Sequence, residues 1–218
     1  MKKKQLYGTI GAGVVLAALL IGLSLRGGNS SNTGKAVDLS AIPVEGKVRG
    51  YPEAPVLVEI FSDYQCYWCA QSAKGFEKQV LPKYMADGTI RVQYRDFAFT
   101  GIESYWAAVA ANCAARQNRF WEYHDRLFAE QRGENQGYFN TKRLLEWAAD
   151  LELDMTSFTR CFETEEPAAE IVAERRLGDD VLDVNSTPTI FVNGRKFEGI
   201  PTEQQFKKLL EDALKDER

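Results

Sequence analysis

Cys66 and Cys69 stand three residues apart in the stretch Phe61-Ser62-Asp63-Tyr64-Gln65-Cys66-Tyr67-Trp68-Cys69. Such a pair can cycle between dithiol and disulfide, or supply half of a tetrahedral zinc site. Zinc needs two further ligands, commonly a second close cysteine pair or paired histidines. The chain has 4 cysteines and 1 histidine. Cys113, Cys161 and His124 each stand alone in the sequence, so no second half-site is legible and no metal is expected. Two soft thiolates could hold Cu(I), but no Met-rich or His-rich cluster accompanies them. A peptide-binding module with an idle disulfide is a further reading. Thiol–disulfide exchange has the best physical support: Cys66 as the exposed, attacking sulfur, and Cys69, on the next turn of a helix, as the one that closes the disulfide back onto it. This chemistry needs no cofactor.

The flanking residues indicate what holds the pair. Val56, Leu57, Val58, Ile60 and Phe61 form a run of β-formers, and Phe76, Val80, Leu81 and Tyr84 follow at helical spacing. A strand feeding a C-x-x-C at a helix start leaves the first cysteine among unpaired backbone N–H groups, where the helix dipole favours a thiolate. In that strand Val56, Val58 and Ile60 face one side, and Leu57, Glu59 and Phe61 the other. Glu59 is an acid inside an apolar run. Either its charge reaches solvent, or it is a buried proton acceptor beneath the cysteine pair, taking the proton that Cys69 must lose before it attacks a mixed disulfide.

Around this centre the chain reads in order. Lys2, Lys3 and Lys4 precede an uncharged run from Leu6 to Leu25, which as a helix is about 30 Å long and just spans a bilayer core. Residues 1–25 are therefore expected to be an uncleaved signal anchor, with the lysines in the cytoplasm and the rest outside. The rival is a cleaved signal peptide, but no clean small-residue site ends the run. Residues 26–43, rich in Gly, Ser and Asn, read as a flexible linker. Residues 44–218 form the working domain. Val44–Val48 predicts a first short strand, and Ile90–Phe97 a half-buried strand after an Asp87-Gly88 turn, parallel to the main strand through a βαβ connection. From about 102 to 183 the pattern is helical, with an alanine-rich helix, an aromatic stripe through Phe120-Trp121-Glu122-Tyr123-His124 assigned to packing, and a helix capped by Thr141. Cys113 and Cys161 fall in this block. By themselves they could pair, stay buried free thiols, or form a second redox pair. Asn193-Gly194 predicts a hairpin between Ile190–Val192 and Lys196–Glu198. Thr202 with Gln205 predicts a capping box on a last helix buried through Phe206, Leu209, Leu210, Ala213 and Leu214. The net charge of -4, with no basic stripe or phosphate-cradling loop, argues against a nucleic-acid partner.

Ala54-Pro55-Val56 through Cys69, together with Thr187-Pro188-Thr189-Ile190-Phe191-Val192-Asn193-Gly194, resembles the DsbA-like branch of the thioredoxin superfamily. The likeness runs from about Gly46 to the C-terminus. It implies an α/β thioredoxin fold with an inserted helical subdomain, beside the N-terminal transmembrane helix, and an enzyme that exchanges thiols and disulfides on exported proteins. It implies a cis Thr187-Pro188 bond against the cysteine pair, Thr187 contacting the reactive sulfur or the substrate backbone, Tyr67 and Trp68 shaping the substrate surface, and an acid near the position of Glu59. It implies a structural Cys113–Cys161 disulfide. The implied partners are cysteine-containing exported proteins and a quinone-linked membrane protein that reoxidises Cys66–Cys69. The Tyr67-Trp68 dipeptide departs from the proline and histidine that the family often carries, so no imidazolium is available to stabilise a thiolate. A reductase or isomerase is the alternative direction.

Overall fold

The computed structural model describes residues 37–216. The expected membrane span at 1–25 and most of the expected linker lie outside them. No helix among the described residues is long and apolar enough to cross a membrane.

Alternating and continuous apolar runs become strands β1 (Val44–Glu45), β2 (Val48–Gly50), β3 (Val56–Ser62), β4 (Ile90–Asp96), β5 (Thr189–Val192) and β6 (Arg195–Glu198). Their order across the sheet is β1-β2-β4-β3-β5-β6. β3 and β4 are parallel, with Ile60 beside Tyr94 and Ser62 beside Asp96; β5 pairs antiparallel with β3. The single strand expected at Val44–Val48 is instead a hairpin. Gly46 takes a left-handed conformation at φ +54°, which suits a residue without a side chain. The turn sends the Lys47 side chain inward to Asp96 and Glu174. Ahead of β1, Asp38 caps a short turn at Leu39–Ala41, and Ile42 is buried in the core.

The segment after Cys66 is one helical path in three pieces. α1 (Tyr67–Lys74) ends at Gly75, a wider turn covers Phe76–Val80, and α2 (Leu81–Ala86) carries Pro82 in its first turn. The insert supplies α3 (Ile102–Ala115), α4 (Phe120–Glu130), α5 (Thr141–Asp150), α6 (Met155–Glu163) and α7 (Ala168–Arg176). α8 (Glu203–Asp216) closes the chain. Its start is the predicted capping box: the Gln205 N–H donates to Thr202 Oγ1 at 3.2 Å and the Thr202 N–H to Gln205 Oε1 at 2.9 Å.

The sheet has two differently covered faces. Val58, Ile60 and Tyr94 pack with Cys69, Ala73, Phe120 and Phe206 in the main core. On the other face, Phe61, Phe97, Val184 and Phe191 form a smaller cluster. Gly178, just after α7, lets the backbone close over it, because a Cβ there would lie 2.6 Å from the Phe97 ring.

Cys113 on α3 and Cys161 on α6 are joined by a disulfide across 48 residues. Cross-linking a loop of that length restricts the unfolded chain by roughly 2–4 kcal/mol. A Cys113→Ser variant is therefore expected to melt well below the parent, yet to retain its exchange activity, because neither sulfur belongs to the Cys66–Cys69 pair. An unchanged melting temperature would show that the bond carries no stability.

Candidate active site

The site is built where β3 ends and α1 begins. Ser62 closes the strand, and the chain then turns through Asp63, Tyr64 and Gln65. Asp63 is buried and saturated: Oδ1 accepts from the Gln65 N–H at 2.8 Å and the Ser104 hydroxyl at 2.5 Å, and Oδ2 from the N–H groups of Phe99 and Thr100, each at 2.9 Å. An acid two residues before the N–H it caps is an Asx-turn, and here it also ties the active-site loop to the loop after β4. Gln65 extends the tie, donating to Ser104 Oγ at 2.9 Å and accepting from the Asn135 N–H. Gln131 Nε2 donates to the carbonyls of Tyr64 and Cys66 at 2.8 and 3.0 Å. The helical insert thus holds the backbone on which Cys66 sits.

Cys66 is the N-cap of α1, its sulfur accepting from the Cys69 N–H at 3.4 Å. Both sulfurs are free thiols; Cys66 is partly exposed and Cys69 buried. Hydrogen bonding from the Cys69 thiol, then from the Thr187 hydroxyl and the backbone N–H groups of Cys69 and Trp68, outweighs partial burial and lowers the Cys66 pKa to about 6. Burial, reinforced by the adjacent Cys66, pushes Cys69 well above an ordinary thiol. The two sulfurs are therefore unequal in the manner exchange requires: one accessible and ionised near neutrality, the other sheltered and protonated.

The Thr187-Pro188 peptide is cis, and the Thr187 carbonyl lies 3.3 Å from Cys66 Sγ, accepting from the thiol. The Thr187 hydroxyl is buried and draws down the pKa of both cysteines. Tyr67 and Trp68 are 60% and 61% exposed beside the sulfurs, their rings edge to face at 5.2 Å. Cys66, Cys69, Tyr67, Trp68, Thr187 and Pro188 thus come together at one end of the sheet.

Glu59 shares the face of β3 with Phe61. Its Oε1 accepts from Arg95 Nη2 at 2.6 Å and Nε at 2.9 Å, so its charge is matched by a guanidinium on β4. No cluster of three or more histidine, cysteine or acidic side chains suited to a metal ion occurs among the described residues, and the Cys113–Cys161 bond withdraws those two sulfurs from any shared site with Cys66 and Cys69.

Residues 44–212 match a family model described as Thioredoxin. The Na(+)/H(+) antiporter NhaA 1 of Salinispora arenicola is 36% identical over 160 residues, but the chain spans only 23% of that protein's length. Disulfide bond formation protein D of Bacillus subtilis is 26% identical over 195 residues, covering 86% of this chain and 83% of the relative. Among solved structures, oxidised BdbD from Bacillus subtilis superposes with a TM-score of 0.72 at 22% identity, over 83% of this chain and 96% of BdbD. A thioredoxin-like oxidoreductase from Silicibacter pomeroyi reaches 0.64 at 28% identity, over 80% and 92%.

Proposed function

Because the chain belongs to the thioredoxin family and is a DsbA-like thiol–disulfide oxidoreductase, we propose that it works as a donor of disulfides to exported proteins, held at the outer face of the membrane by residues 1–25. The observation that carries the direction is the unequal cysteine pair. A thiolate stabilised in the reduced protein makes the Cys66–Cys69 disulfide easier to reduce, hence more oxidising. For Cys66 at about 6, the gain at pH 7 over an ordinary thiol is at most about 1.4 kcal/mol, or about 30 mV, because solvent reaches part of the sulfur. The substrate thiolate attacks Cys66 Sγ, the Cys66–Cys69 bond breaks, and Cys69 leaves and takes up a proton. A second substrate thiolate then releases Cys66. An extended substrate segment lies along residues 186–188, in the manner of an added β-strand, with Tyr67 and Trp68 as its apolar floor.

Localisation rests on Lys2, Lys3 and Lys4 ahead of the uncharged run, and on the Cys113–Cys161 bond, which suits an oxidising compartment. The name of the Bacillus subtilis relative, disulfide bond formation protein D, fits the same direction. A quinone-linked membrane protein returns the pair to its disulfide after each turnover.

The test is the reduction potential of Cys66–Cys69 in the full chain, equilibrated against glutathione and read by Trp68 fluorescence with thiol trapping. A value above the roughly −270 mV of thioredoxin is expected. A value near thioredoxin's would overturn the oxidising direction and make the protein a reductase, a reading that the missing histidine between the cysteines favours.

A further inference from the structure

The backbone of Cys66 is held on both sides. Its N–H donates to the Asp63 carbonyl at 3.0 Å, and its carbonyl accepts the first bond of α1, from the Ala70 N–H at 3.1 Å. The same carbonyl takes a second donor from the helical insert, Gln131 Nε2 at 3.0 Å, and that amide also donates to the Tyr64 carbonyl at 2.8 Å. One side chain thus grips the two peptide groups that bracket Gln65 and Cys66.

A peptide group is planar, so holding its carbonyl holds the ψ of the residue that carries it. Cys66 sits at φ −68° and ψ 125°. That is the extended conformation of an N-cap, from which a side chain folds back over the free N–H groups of the first turn. The Cys66 sulfur does so, accepting from the Cys69 N–H at 3.4 Å. A rotation of ψ toward helical values would carry the sulfur off those donors.

Gln131 is itself held. It is the C-cap of α4, at φ −57° and ψ 132°, so the chain leaves the helix there. Arg132 Nη1 donates to the carbonyls of Ala129 and Gln131 at 3.1 and 2.9 Å, and its guanidinium lies 5.5 Å from the centre of the Tyr138 ring. The loop beyond is anchored on α3, where the buried carboxylate of Glu103 accepts from the N–H groups of Gly137 at 2.8 Å and Phe139 at 2.9 Å. The Asn135 N–H adds a second tie, to Gln65 Oε1. The insert therefore presents the Gln131 amide to Cys66 from a braced loop.

We propose that Gln131 is a positioning residue for Cys66: by holding the carbonyls of Tyr64 and Cys66 it keeps the reactive sulfur seated over the first turn of α1, so that the helical insert sets how readily Cys66 reacts. The assignment rests on Cys66 being the attacking sulfur of the exchanging pair. Gln131 touches neither sulfur and acts only through the backbone, and its amide carries no charge that could act on the thiolate from a distance.

The experiment reads the Cys66 thiolate itself. The reduced full chain is alkylated with iodoacetamide between pH 4.5 and pH 9, and modification of Cys66 is followed by mass spectrometry. Cys69 is the ionisable group beside it, and burial keeps that thiol protonated, so the midpoint belongs to Cys66. Gln131→Met keeps the length of the side chain and removes the donor. It is expected to raise the midpoint by roughly half a unit to one unit, because part of a charge-assisted hydrogen bond to the thiolate is lost. The rate at pH 6 then falls about twofold to fivefold, the plateau at high pH stays at the parent value, and the reduction potential falls with the rise in midpoint. Gln131→Asn keeps the amide but draws it back by one methylene, out of reach of both carbonyls together, and is expected to shift the midpoint in the same direction. It provides the measurement if the methionine variant does not fold. A lower melting temperature with the parent midpoint means that Gln131 braces the fold alone and overturns the assignment. A changed plateau with the parent midpoint means altered access to the sulfur and overturns it too. A parent protein in which Cys66 shows no midpoint in this range overturns the reading of Cys66 on which the assignment rests.

Discussion

Replacing Lys47 with methionine is expected to destabilise the protein by about 3–5 kcal/mol, the usual cost of removing one partner from a buried ion pair. Lys47 is almost fully buried. Its ammonium donates to Asp96 Oδ2 at 2.9 Å and Glu174 Oε2 at 2.6 Å, and its carbonyl accepts from the Tyr94 N–H at 3.1 Å. One residue in a hairpin turn thereby ties β1 and β2 to the end of β4 and to α7. Burial, followed by the charge of Asp96, raises the Glu174 pKa despite the lysine. Without Lys47 the two acids face each other, and the help that remains is Arg95 Nη1, 3.3 Å from Glu174 Oε1, the Asp96 N–H donating to Glu174 Oε2 at 2.8 Å and Asn112 Nδ2 donating to Asp96 Oδ2 at 2.6 Å. Glu174 then takes up a proton more readily still. A carboxyl whose folded pKa is raised destabilises the fold once the pH passes its unfolded value. The Lys47→Met loss should therefore be larger at pH 8 than at pH 5, and Lys47→Met with Glu174→Gln should recover part of it. Urea denaturation of the three proteins at both pH values checks this. A loss independent of pH would mean that packing of the lysine stem, and not charge, is what the variant removes.

What the sequence made legible follows from how locally each feature is encoded. The C-x-x-C after a β-rich run, the Asn193-Gly194 turn and the Thr202–Gln205 cap are each specified within a few residues, and each lies where the pattern puts it. The parallel pairing of β3 with β4 followed from a chirality rule and needed no contact information. Glu59 shows the limit. Strand alternation put it on the face of Leu57 and Phe61, but its ion-pair partner Arg95 lies 36 residues away and is announced by nothing local. Lys47 was read as part of a plain strand, because nothing within five residues announces a partner at Glu174, 127 residues on. Asp63 and Gln65 looked like polar turn residues. The signal that could have singled them out was an acid and an amide packed between aromatic residues immediately before a reactive cysteine, where burial would demand partners.

Between pH 5 and pH 8 the reduced protein is expected to gain stability relative to the disulfide form. The thiol of Cys66 titrates at about 6 in the folded chain and near about 8.5 once unfolded. A group whose folded pKa is depressed contributes stability that is fully present above the unfolded value and is lost as the pH falls through the folded one. The window attributable to Cys66 thus runs from about 8.5 down to about 6, and the contribution is nearly gone at pH 5. Its size between pH 5 and pH 8 is at most about 2.5 kcal/mol, reduced by solvent screening of the half-exposed sulfur. The disulfide form has no such thiol and provides the internal reference. Cys69 acts in the opposite sense, because burial keeps it protonated where the unfolded chain would ionise it. Its effect begins only near about pH 8.5, the unfolded cysteine pKa, so the lower window belongs to Cys66. Guanidinium midpoints of the two redox forms at pH 5, 6.5 and 8 measure the difference directly, and the rate of Cys66 alkylation by iodoacetamide should reach half its plateau close to the same folded pKa. A redox-linked stability difference that stays flat across this range would mean that the helix start, the Cys69 thiol and Thr187 do not stabilise the Cys66 thiolate, and the oxidising direction would lose its physical basis with it.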